Sequence, residues 1–140
     1  MDRSMNQPDF TVEDLLLETL PVRPWKLAEV NYAHIKSHRY EVAVLPCGAT
    51  EPHNLHLPYG TDMIEGTVVG EKICEAAHEQ GAKVVLLPTI PYGTETNQMA
   101  FPLAMNLNPS TLARVITDLV ESLATHEIRK ALLLLSLIHI

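Results

Sequence analysis

The chain has 140 residues, of which 46% are apolar and 19% charged, so it can bury one hydrophobic core but not two. Seventeen acidic residues against ten basic ones give a formal net charge of -7 without a Lys/Arg cluster, which argues against a nucleic-acid partner or an anionic membrane surface. The two cysteines make no disulfide framework, the polar start lacks the core of a signal peptide, and no apolar run approaches the roughly 20 residues that span a bilayer. We therefore expect a cytoplasmic protein with no membrane span.

The first part of the chain predicts two short helical segments and one strand. Residues 9–17 favour a short helix that two prolines close, and residues 25–36 carry apolar side chains in a loosely helical pattern. The β-branched run at residues 41–46 predicts a buried strand, which Gly48 helps to end.

A loop at residues 48–62 follows, because two prolines and two glycines exclude a regular helix there. Thr61 or Asp62 can cap a helix that runs to about Gln80, with a glycine just past its end. Residues 83–88 then predict a second buried strand of the kind found in parallel sheets. The side chains of the helix that are expected to face the core are Ile64, Val68, Ile73 and Ala77.

The remaining part of the chain predicts a loop, a helix and a strand. Residues 89–108 are expected to be irregular, and a helix begins at Asn108 and Pro109. Its apolar residues recur at helical spacing: Leu112, Val115, Ile116, Leu119, Val120 and Leu123. Residues 131–135 predict a third buried strand. The order of strand, helix, strand, helix and strand is typical of an α/β fold with parallel strands.

The loop at residues 48–62 leaves the first strand at its carboxyl end, where open α/β sheets hold their ligands. Glu51 and His53 are two residues apart, so in an extended segment their side chains point the same way. Asp62, at the start of the helix, can swing back toward them. A carboxylate beside an imidazole suits zinc or manganese, although this spacing is less diagnostic than a paired cysteine motif.

A second interpretation assigns the same side chains structural roles and no metal. Glu51 would be a solvated acid, His53 and His56 would bond backbone carbonyls, and Asp62 would cap the helix. Cys47 is expected to be a small buried residue rather than a nucleophile. Four other histidines have no acidic or imidazole partner at ligand spacing and are expected to be surface or structural residues: His34, His38, His78 and His126.

Residues 45–62, which read LPCGATEPHNLHLPYGTD, resemble the signature of the creatininase (creatinine amidohydrolase) family, approximately Leu-Pro-x-Gly-Ser-x-Glu-Gln-His-Gly-x-His-Leu-Pro-x-x-Thr-Asp. The order of elements is also similar over residues 25–134. This sequence has Pro52 for the usual glutamine, Asn54 for the usual glycine, and Asn97 where many members place a histidine. These departures bear on substrate identity more than on metal binding.

The resemblance implies an incomplete α/β fold of the creatininase type, with a parallel sheet and three layers, in a metal-dependent amidohydrolase. It implies that Glu51 ligates one divalent ion, that His53 ligates the other and that Asp62 bridges them, with zinc, manganese or iron as the metals. A hydroxide held between two ions would attack the C–N bond of a cyclic or linear amide. The resemblance also implies a small-molecule amide substrate and a homo-oligomer at full length, and it leaves the role of His56 open.

The resemblance also implies that the chain consists of three segments. Residues 1–24 would be an N-terminal extension and residues 25–134 the N-terminal part of one creatininase-like domain. We expect residues 135–140 to be an artefactual tail, because they resemble a translated transposase adapter where the family has Asn-Gly-His-Gly-Gly-Asn. His139 is then no ligand, the family's remaining histidine and glutamate ligands lie beyond this segment, and the fragment alone is expected to be inactive. The alternative is a non-catalytic metal-binding or oligomer-forming relative, which a full reading frame without those two ligands would favour.

Overall fold

The computed structural model describes residues 22–136. The helix predicted at residues 9–17 and the side chain of His139 lie outside this range. Within it, no helix is long and apolar enough to cross a membrane.

In the described part of the chain, three parallel strands form one open sheet. These are β1 (Val42–Cys47), β2 (Val84–Leu86) and β3 (Lys130–Leu135), in the order β2-β1-β3. Val42 of β1 pairs with Val84 on one side and with Lys130 on the other. The predicted parallel arrangement is confirmed, and β1 lies in the centre of the sheet, where its two neighbours satisfy both edges of its backbone.

Between residues 22 and 136, three helices connect or precede the strands. They are α1 (Tyr32–Ser37), α2 (Thr61–Glu79) and α3 (Pro109–Thr125). Helix α1 is much shorter than the pattern at residues 25–36 suggested, because the backbone around Trp25 pairs with the outer edge of β2. Leu86 N–H donates to the carbonyl of Trp25 at 2.7 Å, and Leu27 N–H donates to the carbonyl of Leu86 at 3.0 Å.

The two faces of the sheet are covered by different elements. Ala43, Leu45 and Cys47 of β1 belong to one apolar cluster, against which partly buried side chains of α3 pack: Leu112, Ile116 and Leu123. Val44, which points to the opposite face, belongs to a second cluster that includes Trp25 and Cys74 of α2. Alternation along the strand therefore produces a three-layer arrangement of helix, sheet and helix.

The buried face of α2 differs from the predicted one. The residues inside are Asp62, Gly66, Gly70 and Cys74, spaced four apart, whereas Ile64, Val68 and Ile73 are 50%, 45% and 39% exposed. Ala77 alone of the predicted set packs against the core. The reason is steric, since the helix lies so close to the sheet that a Cβ at Gly70 would be 2.8 Å from Leu86 Cδ1.

The predicted N-cap of α2 is also wrong. The capping residue is Gly60, which has no side chain to offer, and Asp62 lies inside the first helical turn. The hydroxyl of Thr61 instead donates to the carbonyl of Pro58, at 2.6 Å. The carboxylate of Asp62 therefore does not cap the helix, although it lies near the positive end of the helix dipole.

Strand β3 is an edge strand and is mostly exposed, which contradicts the prediction of a buried strand. Only Leu134 is partly buried, where it packs against the cluster under α2. In the part of the chain that the structure describes, β3 pairs with β1 alone. Three apolar residues of α3 are likewise exposed by about a third: Val115, Leu119 and Val120.

Candidate metal centre

The candidate site lies where β1 ends and α2 begins. Gly48 follows β1 directly, and a Cβ at this position would lie 2.7 Å from the backbone nitrogen of Met63 and 2.8 Å from its Cα. Only a glycine therefore allows the first turn of α2 to approach the end of the strand so closely. This contact places Asp62 beside the loop that carries Glu51 and His53.

The structure brings together the three residues that the sequence singled out. One ligand atom from each of Glu51, His53 and Asp62 can be chosen so that all lie within 4.8 Å of one another. All three are buried, with 2%, 9% and 3% of their surfaces exposed. A buried carboxylate pair is costly unless cations or hydrogen-bond donors neutralise it, so the burial argues against the interpretation of Glu51 as a solvated acid.

The hydrogen bond of His53 determines which ring nitrogen faces the carboxylates. Its Nδ1 lies 3.1 Å from the backbone carbonyl oxygen of Glu51, which can only accept, so Nδ1 carries the proton. In a neutral ring Nε2 then has a lone pair, and it lies 3.3 Å from Oδ1 of Asp62. Two lone pairs at this distance repel each other, so a proton or a metal ion between them makes the contact favourable. This is the tautomer in which histidine ligates metals through Nε2.

The residue that follows the neighbouring strand β3 also contacts Asp62. The hydroxyl of Ser136, just after β3, lies 3.0 Å from Oδ1 of Asp62 and 3.2 Å from Oε2 of Glu65. One hydroxyl proton can be donated to only one of these acceptors at a time. The carboxylate of Asp62 therefore lies between a hydroxyl group and the imidazole of His53.

The structure shows where two departures from the family signature, Asn54 and Asn97, lie. Asn54 adopts φ = 59°, in the left-handed region that glycine favours and that asparagine tolerates better than most residues. Its side-chain oxygen accepts from the backbone N–H of Leu55 at 2.8 Å. Asparagine can thus replace the usual glycine without changing the path of the loop. Asn97 lines a cavity beside the three buried residues, where it can contact a bound molecule.

The other histidines do not join the site. Within residues 22–136, the cluster of metal-ligating side chains contains only Glu51, His53 and Asp62. His56, His78 and His126 are exposed. His34 and His38 stack at 3.7 Å between ring centroids, and burial, together with His38, lowers the pKa of His34.

Cys47 is buried at the end of β1, and burial raises the pKa of its thiol. A raised pKa favours the neutral thiol over the reactive thiolate, as expected for a packing residue.

A buried acid that the sequence analysis missed lines the same cavity. Glu95 is 9% exposed and lies in the segment that was expected to be an irregular loop. The cavity has a volume of about 260 Å³, and its lining includes Glu51, Asp62, Glu95, Asn97 and Ser136. The rule applied to the end of β1 could have found Glu95, because residues 89–108 leave the carboxyl end of β2 at the same edge of the sheet.

Comparison with models of known protein families identifies the family of this chain. The model for creatininase, described as creatinine amidohydrolase, matches residues 28–136. The chain belongs to the creatininase family. A creatinine amidohydrolase from Pseudomonas putida is 31% identical over 98 residues, which cover 66% of this chain and 36% of the relative.

Solved structures of the creatininase family share the fold. A protein from Bacteroides fragilis NCTC 9343, described as a creatinine amidohydrolase, is 32% identical, with a TM-score of 0.68 over 77% of this chain and 44% of that one. A creatininase variant of the Zn-Zn type is 25% identical, with a TM-score of 0.66 over 77% of this chain and 43% of that one. The chain therefore spans less than half the length of these creatininases, and its α/β fold corresponds to part of theirs.

Proposed function

We propose that this chain forms part of a metal-dependent amidohydrolase that cleaves the C–N bond of a small cyclic or linear amide. The observation that carries the proposal is the buried contact between His53 Nε2 and Asp62 Oδ1, with Glu51 beside it. The family to which the chain belongs supports the reaction class, since its model is described as creatinine amidohydrolase.

The donor set fits divalent metals. Two carboxylates and one imidazole combine hard oxygen ligands with a borderline nitrogen, a set that both zinc and manganese accept. Among the described residues that line the cavity, none is Lys or Arg. A divalent ion would offset the negative charge of the two buried carboxylates, Glu51 and Asp62. The Zn-Zn form of a family member supports a site for two ions.

We assign the three ligands as the family resemblance implies. Glu51 would hold one ion, His53 would hold the other, and Asp62 would contact both. When bound, the ions would polarise the amide carbonyl and lower the pKa of a water molecule, so that a nucleophile is present at neutral pH. Three side chains are few for two ions, since a single catalytic zinc already takes about three protein ligands. Further ligands would have to come from outside this cluster.

The residues of this chain contribute orientation and exclusion of water. The Glu51 carbonyl fixes the His53 ring, and the approach of α2 to Gly48 fixes Asp62. Because all three side chains are buried, water has restricted access, and charge–charge interactions in the site are stronger than at the surface. A cavity of about 260 Å³ suits a small molecule rather than a protein chain.

The proposal also covers the compartment, the oligomeric state and the partners of the enzyme. We place it in the cytoplasm as a homo-oligomer that acts on a small molecule, with neither nucleic acid nor membrane as a partner. The exposed leucines of β3 and the apolar residues of α3 that are about a third exposed support association with further protein, since large exposed apolar surfaces are usually covered.

The test is hydrolysis by protein expressed from its full reading frame, assayed on a panel of cyclic amides and formamides with zinc or manganese added. We expect turnover that needs a divalent metal and falls about 100-fold or more in Asp62→Asn, because a carboxamide brings no charge to offset the ions. Glu75→Gln is the matched control, since Glu75 is an exposed acid of the same helix and lies outside the cluster. Metal-independent turnover, or equal activity in Asp62→Asn and the wild type, would contradict the proposal.

A further inference from the structure

The cluster of proposed metal ligands adjoins two cavities. Glu51 and Asp62 line the cavity of about 260 Å³, whereas His53 lines a second one of about 670 Å³. Because ligand atoms of the three residues lie within 4.8 Å of one another, both cavities reach the same place beyond the end of β1. A molecule with one group at the cluster therefore has room for another group in the second cavity.

Side chains from two loops form the walls of this second cavity. Leu57 and Tyr59 belong to the loop after β1, and Gln98 and Phe101 belong to the loop after β2. Two aromatic rings and a leucine, with a few polar groups beside them, are a composition typical of small-molecule sites. The size of the cavity also lies within the range of such sites, roughly 300–1,000 Å³.

The second cavity differs from the first in charge. Glu51, Asp62 and Glu95 line the first, but no Asp, Glu, Lys or Arg is among the described residues that line the second. The two loops lack these residue types over residues 52–61 and 96–113, although 19% of the chain is charged. A charged group that left water for this cavity would find no side chain of opposite charge on these walls, so the cavity favours a neutral, apolar group.

Hydrogen bonds hold the walls of the second cavity in place. The hydroxyl of Tyr59 donates to the carbonyl of Pro102 at 2.8 Å, and the carbonyl of Tyr59 accepts from the N–H of Glu51 at 3.2 Å. The N–H of Phe101 donates to the carbonyl of Gln98 at 2.9 Å. Tyr59 thus joins the two loops and connects them to a proposed ligand. A cavity whose walls are already fixed loses little conformational freedom when it binds a molecule.

The apolar walls are incompletely covered. Leu57, Tyr59 and Phe101 are 45%, 37% and 53% exposed. An apolar group bound among them would remove part of this surface from water, which stabilises the complex. An aromatic group gains most, since the rings of Tyr59 and Phe101 offer stacked or edge-to-face contacts.

We propose that the second cavity binds an apolar, preferably aromatic, substituent of the amide substrate, and that Phe101 is a specificity-determining residue there. This inference rests on the proposed function, because the amide has to reach the ligand cluster that the cavity adjoins. It narrows the substrate class to small amides with an uncharged ring beside the bond to be cleaved. Amides that carry an ammonium group or a carboxylate at that position are disfavoured, because these groups would lose their hydration without compensation.

The experiment uses protein expressed from its full reading frame, supplied with zinc or manganese, and two formamides that differ in one group. N-benzylformamide carries an aromatic ring next to the amide nitrogen, whereas N-methylformamide carries only a methyl group. Phe101→Ala should lower kcat/KM for N-benzylformamide about tenfold, mainly through a higher KM, and change that for N-methylformamide by less than about threefold. Leu57→Ala, which alters the wall formed by the other loop, should give the same pattern.

Met99→Ala is the matched control. Met99 lies in the same loop as Phe101 and is almost equally exposed, 54% against 53%, but it does not line the cavity. This variant should leave kcat/KM for both formamides unaffected. Equal losses on both substrates in Phe101→Ala, or the same selective loss in Met99→Ala, would overturn the proposal.

A binding measurement separates this inference from the proposed function. Ligand-observed NMR should show that benzyl alcohol binds the wild type and binds Phe101→Ala more weakly, whether or not either amide is hydrolysed. A protein that hydrolyses neither amide would refute the proposed function, while the benzyl alcohol titration would still decide on the cavity. Unchanged binding by Phe101→Ala would overturn the proposal. If that variant also shifted toward the monomer in sedimentation, a second copy of the chain would be the group that covers this surface.

Discussion

His53 and Asp62 meet at 3.3 Å between Nε2 and Oδ1, although they lie in different elements, one in the loop after β1 and the other in the first turn of α2. The same imidazole contacts the backbone carbonyl of Glu51 through Nδ1. One hydrogen bond to the main chain therefore presents the other ring nitrogen to a buried carboxylate. The geometry depends on how closely α2 can approach the end of β1, which is a property of Gly48.

The first prediction concerns Gly48. Gly48→Ala should destabilise the fold by about 1–3 kcal/mol, because the added methyl would meet the backbone of Met63, which cannot move without shifting α2. Gly66→Ala is the matched control, since its Cβ would lie at ordinary contact distance, 3.5 Å, from Pro46 Cβ. The control should be neutral or more stable by up to about 1 kcal/mol through helix propensity. Urea unfolding measures the stability of both variants. Equal changes in the free energy of unfolding of Gly48→Ala and Gly66→Ala would refute the steric account.

A second prediction concerns Cys74, which is fully buried on the face of α2 that packs against the sheet. Burial raises the pKa of its thiol to about 11 from an ordinary value of 9.0. In the unfolded chain the thiol ionises first, so the free energy of unfolding should fall as the pH rises from 9.0 to about 11. In Cys74→Ala this part of the pH dependence should be missing, whatever the stability of the variant at pH 7. Equal slopes for the wild type and the variant in chemical denaturation at several pH values would refute the prediction.

The element order and the grouping of the three candidate site residues could be predicted from sequence because each depends on local signals. The β-branched run of β1, the glycine after α2 and the signature at residues 45–62 are all read over a few neighbours. The buried face of α2 was predicted wrongly, because hydrophobic periodicity favours Ile64 and Val68 over glycines. What decides the face is the close approach to the sheet at Gly70, a long-range contact.

Two other features also depend on contacts across the fold. The exposure of β3 follows from its position at the edge of the sheet, which the composition of the strand does not reveal. Glu95 was missed because the rule that ligands lie beyond the carboxyl ends of strands was applied to the loop after β1 and not to the loop after β2. Its burial results from the hydrogen bonds that join the two loops, through Asn106 and Thr50.

A third prediction tests the ion pairs that tie the start of the described chain to α2. Glu71 contacts Lys26 at 2.7 Å and Arg23 at 2.8 Å, and the hydrogen bond from Lys26 is the main cause that lowers the pKa of Glu71. A lowered pKa stabilises the fold above the ordinary carboxyl range, and this contribution is lost as the pH falls through the folded-state value.

Glu71→Gln should therefore be less stable than the wild type by about 1 kcal/mol or less at pH 7, a difference that shrinks in acid. The measurement is thermal unfolding between pH 7 and pH 3, with Glu75→Gln, an exposed acid of the same helix, as the control. A deficit that stays constant down to pH 3 would show that the ion pairs are not its cause.

A fourth prediction concerns the exposed edge of the sheet. Leu132 and Leu133 of β3 are 48% and 42% exposed, next to backbone groups that can pair with another strand. The 140-residue chain should therefore self-associate. Replacing both leucines by lysine should shift it toward the monomer in size-exclusion chromatography, whereas Val68→Lys on the outer face of α2 should not. A monomeric wild type would contradict this expectation.

The measurement that tests the central claim most directly is a titration of the purified protein with Mn²⁺, followed by the electron paramagnetic resonance signal of the free ion. The wild type should take up the ion, and Asp62→Asn should bind it at least about tenfold more weakly, because the carboxylate proposed to contact both ions is lost. Glu75→Gln, which removes an exposed acid of the same helix, should bind Mn²⁺ as the wild type does. Undiminished uptake by Asp62→Asn, or an equal loss in Glu75→Gln, would show that Glu51, His53 and Asp62 are not the metal site.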